Sequence, residues 1–258
     1  MGEFSSRACV TRLIKLIHKY GAPKRFYELA GTLVPWLAAL TAVLMVVGLY
    51  LGLFWAPRDY QQGNAYRIMF VHVPNAWMSM MAYVAMAVFA AAGYIWNMRL
   101  ADILAKVTAP LGASFTLTAL VTGSLWGKPM WGTYWVWDAR LTSELILFFL
   151  YVGYMALQAS IDDARRAAHA SAILAIVGAV NIPIIHYSVY WWHTLHQPAS
   201  LTLTNQPKIY ISMLIPLILM SLAFTLFYVT MLCVRARSEI LWRERNADWV
   251  RKLVGSRT

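Results

Sequence analysis

Two residue types with unusual placement carry most of the chemistry in this sequence. Residues 125–144 read LWGKPMWGTYWVWDARLTSE and hold Trp126, Trp131, Trp135 and Trp137 within twelve positions. One or two tryptophans would serve as an ordinary interfacial belt. Four, interleaved with Gly127, Pro129 and Gly132, predict an irregular aromatic platform suited to a flat, polarizable ligand. Lys128 and Arg140 in the same stretch offer cations to the carboxylates of such a ligand, or snorkel toward headgroups. Asp138 is placed to fix Arg140 or to cap the helix that follows. Glu144 lies four residues after Arg140, the spacing of a pair along one helix face.

The histidines supply the second element. His18 and His169 sit among charges and read as solvated. His72, in YRIMFVHVPNAW, and His186, in NIPIIHYSVYWWHTLHQP, fall near the same ends of two separate apolar segments. His193 and His196 follow beyond the second. A planar iron macrocycle takes one axial imidazole on each face, so two histidines beside an aromatic platform specify haem better than other flat ligands. A quinone needs no paired axial donors. A copper site would draw on Met69 or Met130. Pro74 and Pro183 lie close to the two histidines and can aim them by freeing backbone groups. Cys9 and Cys233 are isolated, so neither a CxxC redox motif nor a CxxCH haem-attachment site is present. GSLWGKP at 123–129 lacks the spacing and the Ser or Thr of a phosphate-binding loop.

What positions these residues is a set of membrane helices. Of 258 residues, 60% are hydrophobic and 13% charged, against about 25% charged in a soluble domain. Stretches free of Asp, Glu, Lys and Arg at 29–57, 68–98, 107–127, 145–161, 167–207 and 209–234 predict an all-α integral membrane protein. Its six transmembrane helices fall near 32–55, 69–96, 107–126, 143–160, 171–191 and 209–233. Residues 191–207, with two prolines, read as a loop. The net charge of +11 is a topology signal and does not point to nucleic acid. Seventeen Lys and Arg fall on the face that carries both termini and five on the other, which predicts cytoplasmic termini. A basic segment at 1–30, a membrane domain at 31–234 with the tryptophan loop at 125–144 between helices 3 and 4, and a basic tail at 235–258 follow. Residues 11–20 alternate basic and apolar at helical spacing and read as a solvated basic stop for the first helix, with a helix lying on the anionic inner surface as the alternative. Nothing in residues 1–30 resembles a cleavable signal peptide.

WGKPMWGTYWVWDARLTSE, with HVPNAWMSM upstream and NIPIIHYSVYWWHTLHQP downstream, resembles the cytochrome c maturation C family of haem-handling membrane proteins, which carry a WWD segment. The likeness runs from about Pro23 to Cys233. It implies a multi-pass protein of the bacterial inner membrane that binds haem b at the periplasmic face and delivers it to a membrane-anchored haem chaperone. It implies as partners the ATPase and permease subunits of an ABC transporter and a small single-span membrane protein, all within the lipid bilayer. It implies axial iron ligation by His72 and His186, and a haem platform from Trp126 to Asp138, most directly Trp131, Trp135, Trp137 and Asp138. His193 is an additional potential ligand. The protein is then a delivery subunit rather than an enzyme. The alternative is a redox subunit binding haem or quinone for electron transfer. That would call for ligands at both membrane depths, and no two histidines face each other at the inner ends of two spans.

Overall fold

The computed structural model describes residues 22–196 and 209–255. Among these residues the chain is helical, and its only strand-type pairing is an isolated bridge between Asp59 and Gly63. Helix α1 (Pro23–Tyr50) opens with proline, whose missing N–H costs nothing at a helix start. A π-helical turn at Leu51–Trp55 continues it. A 3-10 turn (Ala65–Ile68) leads into α2 (Met69–Trp96), which passes Pro74 unbroken. Asn97, at φ 52°, closes α2 in the left-handed region. Then come α3 (Arg99–Trp131), α4 (Ala139–Ser160), α5 (Ala164–Gly178), α6 (Asn181–Trp191), α7 (Ile211–Arg243) and α8 (Asp248–Gly255).

Among the described residues six helical spans are long and apolar enough to cross a membrane, α5 and α6 together making the fifth. The break between these two has a local cause. Pro183 cannot donate to the carbonyl of Ala179, and its ring crowds that group. The chain there falls into i,i+3 bonds, with Ile182 N donating to Ala179 O at 3.1 Å.

Most helices outrun the charge-free stretches. The first span covers 33 residues, about 50 Å of helix against a hydrocarbon core of about 30 Å. Charged residues at the ends snorkel and need not end the helix. Helix α1 begins at Pro23, inside the expected basic segment, and α7 runs nine residues into the expected tail, to Arg243. The tail then folds back, placing the Trp249 ring 5.5 Å from that of Tyr27 and so bringing both ends of the described chain to one end of the bundle. The basic alternation at 11–20 lies outside the described residues.

The core is filled by tyrosines set against glycines. Tyr83 and Tyr151 are fully buried with ring centres 5.0 Å apart. Tyr151 lies against Gly112 of α3 so closely that a Cβ there would stand 2.1 Å from its ring. The Tyr151 hydroxyl donates to the Ser79 carbonyl at 2.8 Å. These contacts lock α2, α3 and α4 together beneath the end where His72 lies.

Candidate functional site

The irregular stretch is shorter than the sequence suggests. Helix α3 runs on through Gly127 and Pro129 to Trp131, and only Gly132, at φ +76°, stops it. Leaving a helix within an apolar phase strands backbone amides, so helix continues until a residue able to turn arrives. Lys128 completes the end, its ammonium donating to the Gly132 carbonyl at 3.0 Å and lying 5.2 Å from the Tyr134 ring centre. Residues 132–138 make the loop proper. Thr133 holds it, its hydroxyl donating to the Trp135 carbonyl at 3.1 Å.

Asp138 takes the capping role. Its Oδ1 accepts from Leu141 N at 2.8 Å at the start of α4, and its Oδ2 accepts from the Thr194 hydroxyl. The second bond fastens the segment after α6 to the tryptophan loop. Arg140 and Glu144 do not pair, contrary to their spacing. Arg140 Nη1 donates to the Ile185 carbonyl at 2.9 Å, while Glu144, buried between α2 and α4, accepts from Ser79 Oγ at 2.7 Å. Each finds a closer partner on a neighbouring helix, and a carbonyl of another helix is invisible to an i,i+4 rule.

His72 is 8% exposed. Its Nδ1 lies 3.1 Å from both the Ala119 carbonyl and the Thr122 hydroxyl of α3. A carbonyl only accepts, so Nδ1 carries the proton and Nε2 keeps its lone pair for a ligand. The ring meets Trp126 edge-on at 5.7 Å. Trp126 is anchored in turn, Nε1 donating to Gln62 Oε1 at 3.0 Å.

On its other side the His72 ring stands 6.3 Å from that of His196, and His196 stands 6.2 Å from Trp131. Four rings, Trp126, His72, His196 and Trp131, thus form one group. Trp135 and Trp137 make a separate edge-to-face pair at 5.5 Å, with Trp137 largely exposed. His186 is on the exposed side of α6, its ring 4.8 Å from Tyr187. His193 is exposed beyond the helix end. The expected outside loop from Trp191 is described only to His196, and residues 197–208 lie outside the described residues.

Sequence reasoning singled out His72 and the tryptophans, but it did not single out His196, Thr122, Thr194 or Gln62. Only the Thr–x–His spacing of Thr194 and His196 hints at a fastened histidine. The other partners come together through the packing of α2 on α3.

A family model described as heme exporter protein C matches residues 16–251. The chain belongs to that family. It is 54% identical to heme exporter protein C of Bradyrhizobium diazoefficiens over 221 residues, covering 86% of this chain and 84% of that protein. It is 49% identical to heme exporter protein C of Escherichia coli K12 over 240 residues, 93% of this chain and 97% of that one. A putative cytochrome c biosynthesis ccmC-like mitochondrial protein of Marchantia polymorpha is 48% identical over 187 residues, 72% and 78% of the two chains. Membership in the heme exporter protein C family, with six apolar helices, fits a multi-pass membrane protein of haem transport and c-type cytochrome biogenesis.

Proposed function

We propose that this protein holds haem b at the periplasmic face of the bacterial inner membrane, with iron between His72 and His196, and delivers it to a membrane-anchored haem chaperone. The observation that carries this reading is the 6.3 Å separation of the two imidazole rings. An imidazole nitrogen lies about 2.0–2.1 Å from a bound metal, and the ring centre about 1.1 Å beyond it, so two axial rings sit about 6–6.5 Å apart. The family resemblance points to His186 as the second ligand. The ring grouping favours His196, ten residues on, and the assignment here follows it.

Each neighbour then has a task. Trp126 and Trp131 flank the two imidazoles and exclude water from the iron, while Trp135 and Trp137 extend the apolar surface. Arg140 spends Nη1 on Ile185, and its remaining N–H groups meet a propionate. Lys128 keeps ammonium protons beyond the one given to Gly132 and faces the second propionate. The chain has no CxxCH, so haem is held by ligation and packing and can be passed on. The protein acts as a delivery subunit. It works with the ATPase and permease subunits of an ABC transporter and a small single-span protein. Seventeen basic residues against five put its termini in the cytoplasm.

The test is purification from haem-replete cells with the visible spectrum recorded. The wild type is expected to carry a Soret band that weakens in His72→Ala and in His196→Ala and is lost in the double variant. A Soret band unchanged in the double variant would overturn the reading.

A further inference from the structure

The surface of α3 facing His72 is a groove of small residues. Ala119, Gly123 and Gly127 succeed one another at four-residue spacing, so they stack on one side of the helix. A Cβ built on Gly123 would stand 2.9 Å from His72 Cε1, 3.4 Å from Nδ1 and 3.8 Å from Nε2. The imidazole therefore rests directly on the α3 backbone. One turn on, a Cβ at Gly127 would stand 2.9 Å from the Trp131 ring. Where the His72 ring touches α3, its Nδ1 proton is shared between Ala119 O and Thr122 Oγ1, each 3.1 Å away. Thr122 gives its own proton to the Thr118 carbonyl at 2.6 Å, so toward His72 its oxygen is an acceptor. Every neighbour of Nδ1 thus demands the same tautomer.

We propose that Gly123 and Thr122 are positioning residues for His72: Gly123 admits the imidazole to the α3 backbone, and Thr122 with the Ala119 carbonyl holds the proton on Nδ1. This rests on the reading of His72 as an iron ligand. Hydrogen bonding at the far nitrogen makes an imidazole a more basic ligand, and loss of such a partner costs about 10–100-fold in metal affinity. A more basic ligand favours the more highly charged iron, so the pair also biases bound haem toward the ferric state. Thr122→Val keeps the side-chain shape and removes the acceptor. Gly123→Ala lifts the ring away from both acceptors and turns Nε2 with it.

The experiment is a redox titration of haem-loaded full-length protein in detergent, with ferric haem affinity measured by competition. The variants are Thr122→Val, Thr122→Ser, Gly123→Ala and His72→Ala, with Ser124→Ala as a control on the same helix. Thr122→Val is expected to bind ferric haem about tenfold more weakly with ferrous affinity nearly kept, which raises the midpoint potential by about 59 mV for a one-electron couple. Thr122→Ser and Ser124→Ala are expected to match the wild type. Gly123→Ala is expected to lose the six-coordinate low-spin spectrum. Wild-type potential and affinity in Thr122→Val, or equal shifts in Thr122→Ser and Thr122→Val, would overturn the inference while a haem loss in His72→Ala left the ligand reading intact. Wild-type haem binding in His72→Ala would overturn the ligand reading itself.

Discussion

Thr194→Val should weaken haem binding without touching any ring of the site. In the structure the Thr194 hydroxyl donates to Asp138 Oδ2, two residues before His196, and Asp138 Oδ1 caps α4 through Leu141 N at 2.8 Å. The Thr194 bond joins the chain after α6 to the tryptophan loop, so its loss lets His196 leave the side of His72. A hydrogen bond to a carboxylate is worth about 1.5–3 kcal/mol, and Asp138 is partly open to solvent, so the lower end applies. At about 1.4 kcal/mol per tenfold, Thr194→Val should raise the haem dissociation constant about tenfold. Asp138→Ala loses the same bond and the α4 cap, the latter worth about 1 kcal/mol of helix stability. The assay is haem transfer to an apo-globin acceptor, with thermal unfolding of the haem-free protein in parallel. The two changes share the Thr194–Asp138 bond, while Thr194→Val also removes the acceptor of His196 N at 3.1 Å, so the effects in the double variant should be less than additive. Additive effects, or wild-type transfer in Thr194→Val, would refute this account of how His196 is held.

Three further outcomes follow from the packing and the charge pattern. Gly112→Ala drives a Cβ to 2.1 Å from the Tyr151 ring and should destabilise the bundle by about 1–3 kcal/mol, with Tyr151→Leu in the same chain restoring much of the loss in thermal unfolding. Ser79→Ala leaves the Glu144 carboxyl without its 2.7 Å donor and should cost about 0.6 kcal/mol, the mean for such bonds between membrane helices; Glu144→Gln, which still accepts from Ser79, should cost less. A fluorescent-protein fusion after Thr258 should shine in the cytoplasm and an alkaline phosphatase there should be inactive, whereas phosphatase inserted at Gly132 should be active. The reverse pattern would overturn the orientation drawn from the basic residues.

The parts of this protein legible in its sequence are those set by the membrane itself. Six charge-poor stretches become six spans because length and apolarity alone decide insertion. His72 and the four loop tryptophans stand out because an aromatic cluster and a membrane histidine are rare enough to need a reason. Helix ends were less legible, because Lys106, Lys128 and Arg235 bound a charge-free stretch without bounding a helix. The pairing of Arg140 with Glu144 failed because Ile185 O and Ser79 Oγ, both from other helices, compete for the two groups. Choosing between His186 and His196 was beyond any spacing argument. Which ring lies beside His72 depends on how the chain turns after Trp191 and is tied down at Asp138, a contact between residues 56 positions apart.

The central claim is that one iron lies between His72 and His196, and electron paramagnetic resonance of the ferric, haem-loaded protein tests it most directly. The wild type and His186→Ala should both give a low-spin bis-imidazole signal. His72→Gly and His196→Gly should each give a high-spin signal that free imidazole converts back. A low-spin signal kept in His196→Gly and lost in His186→Ala would contradict the account and return the second ligand to α6.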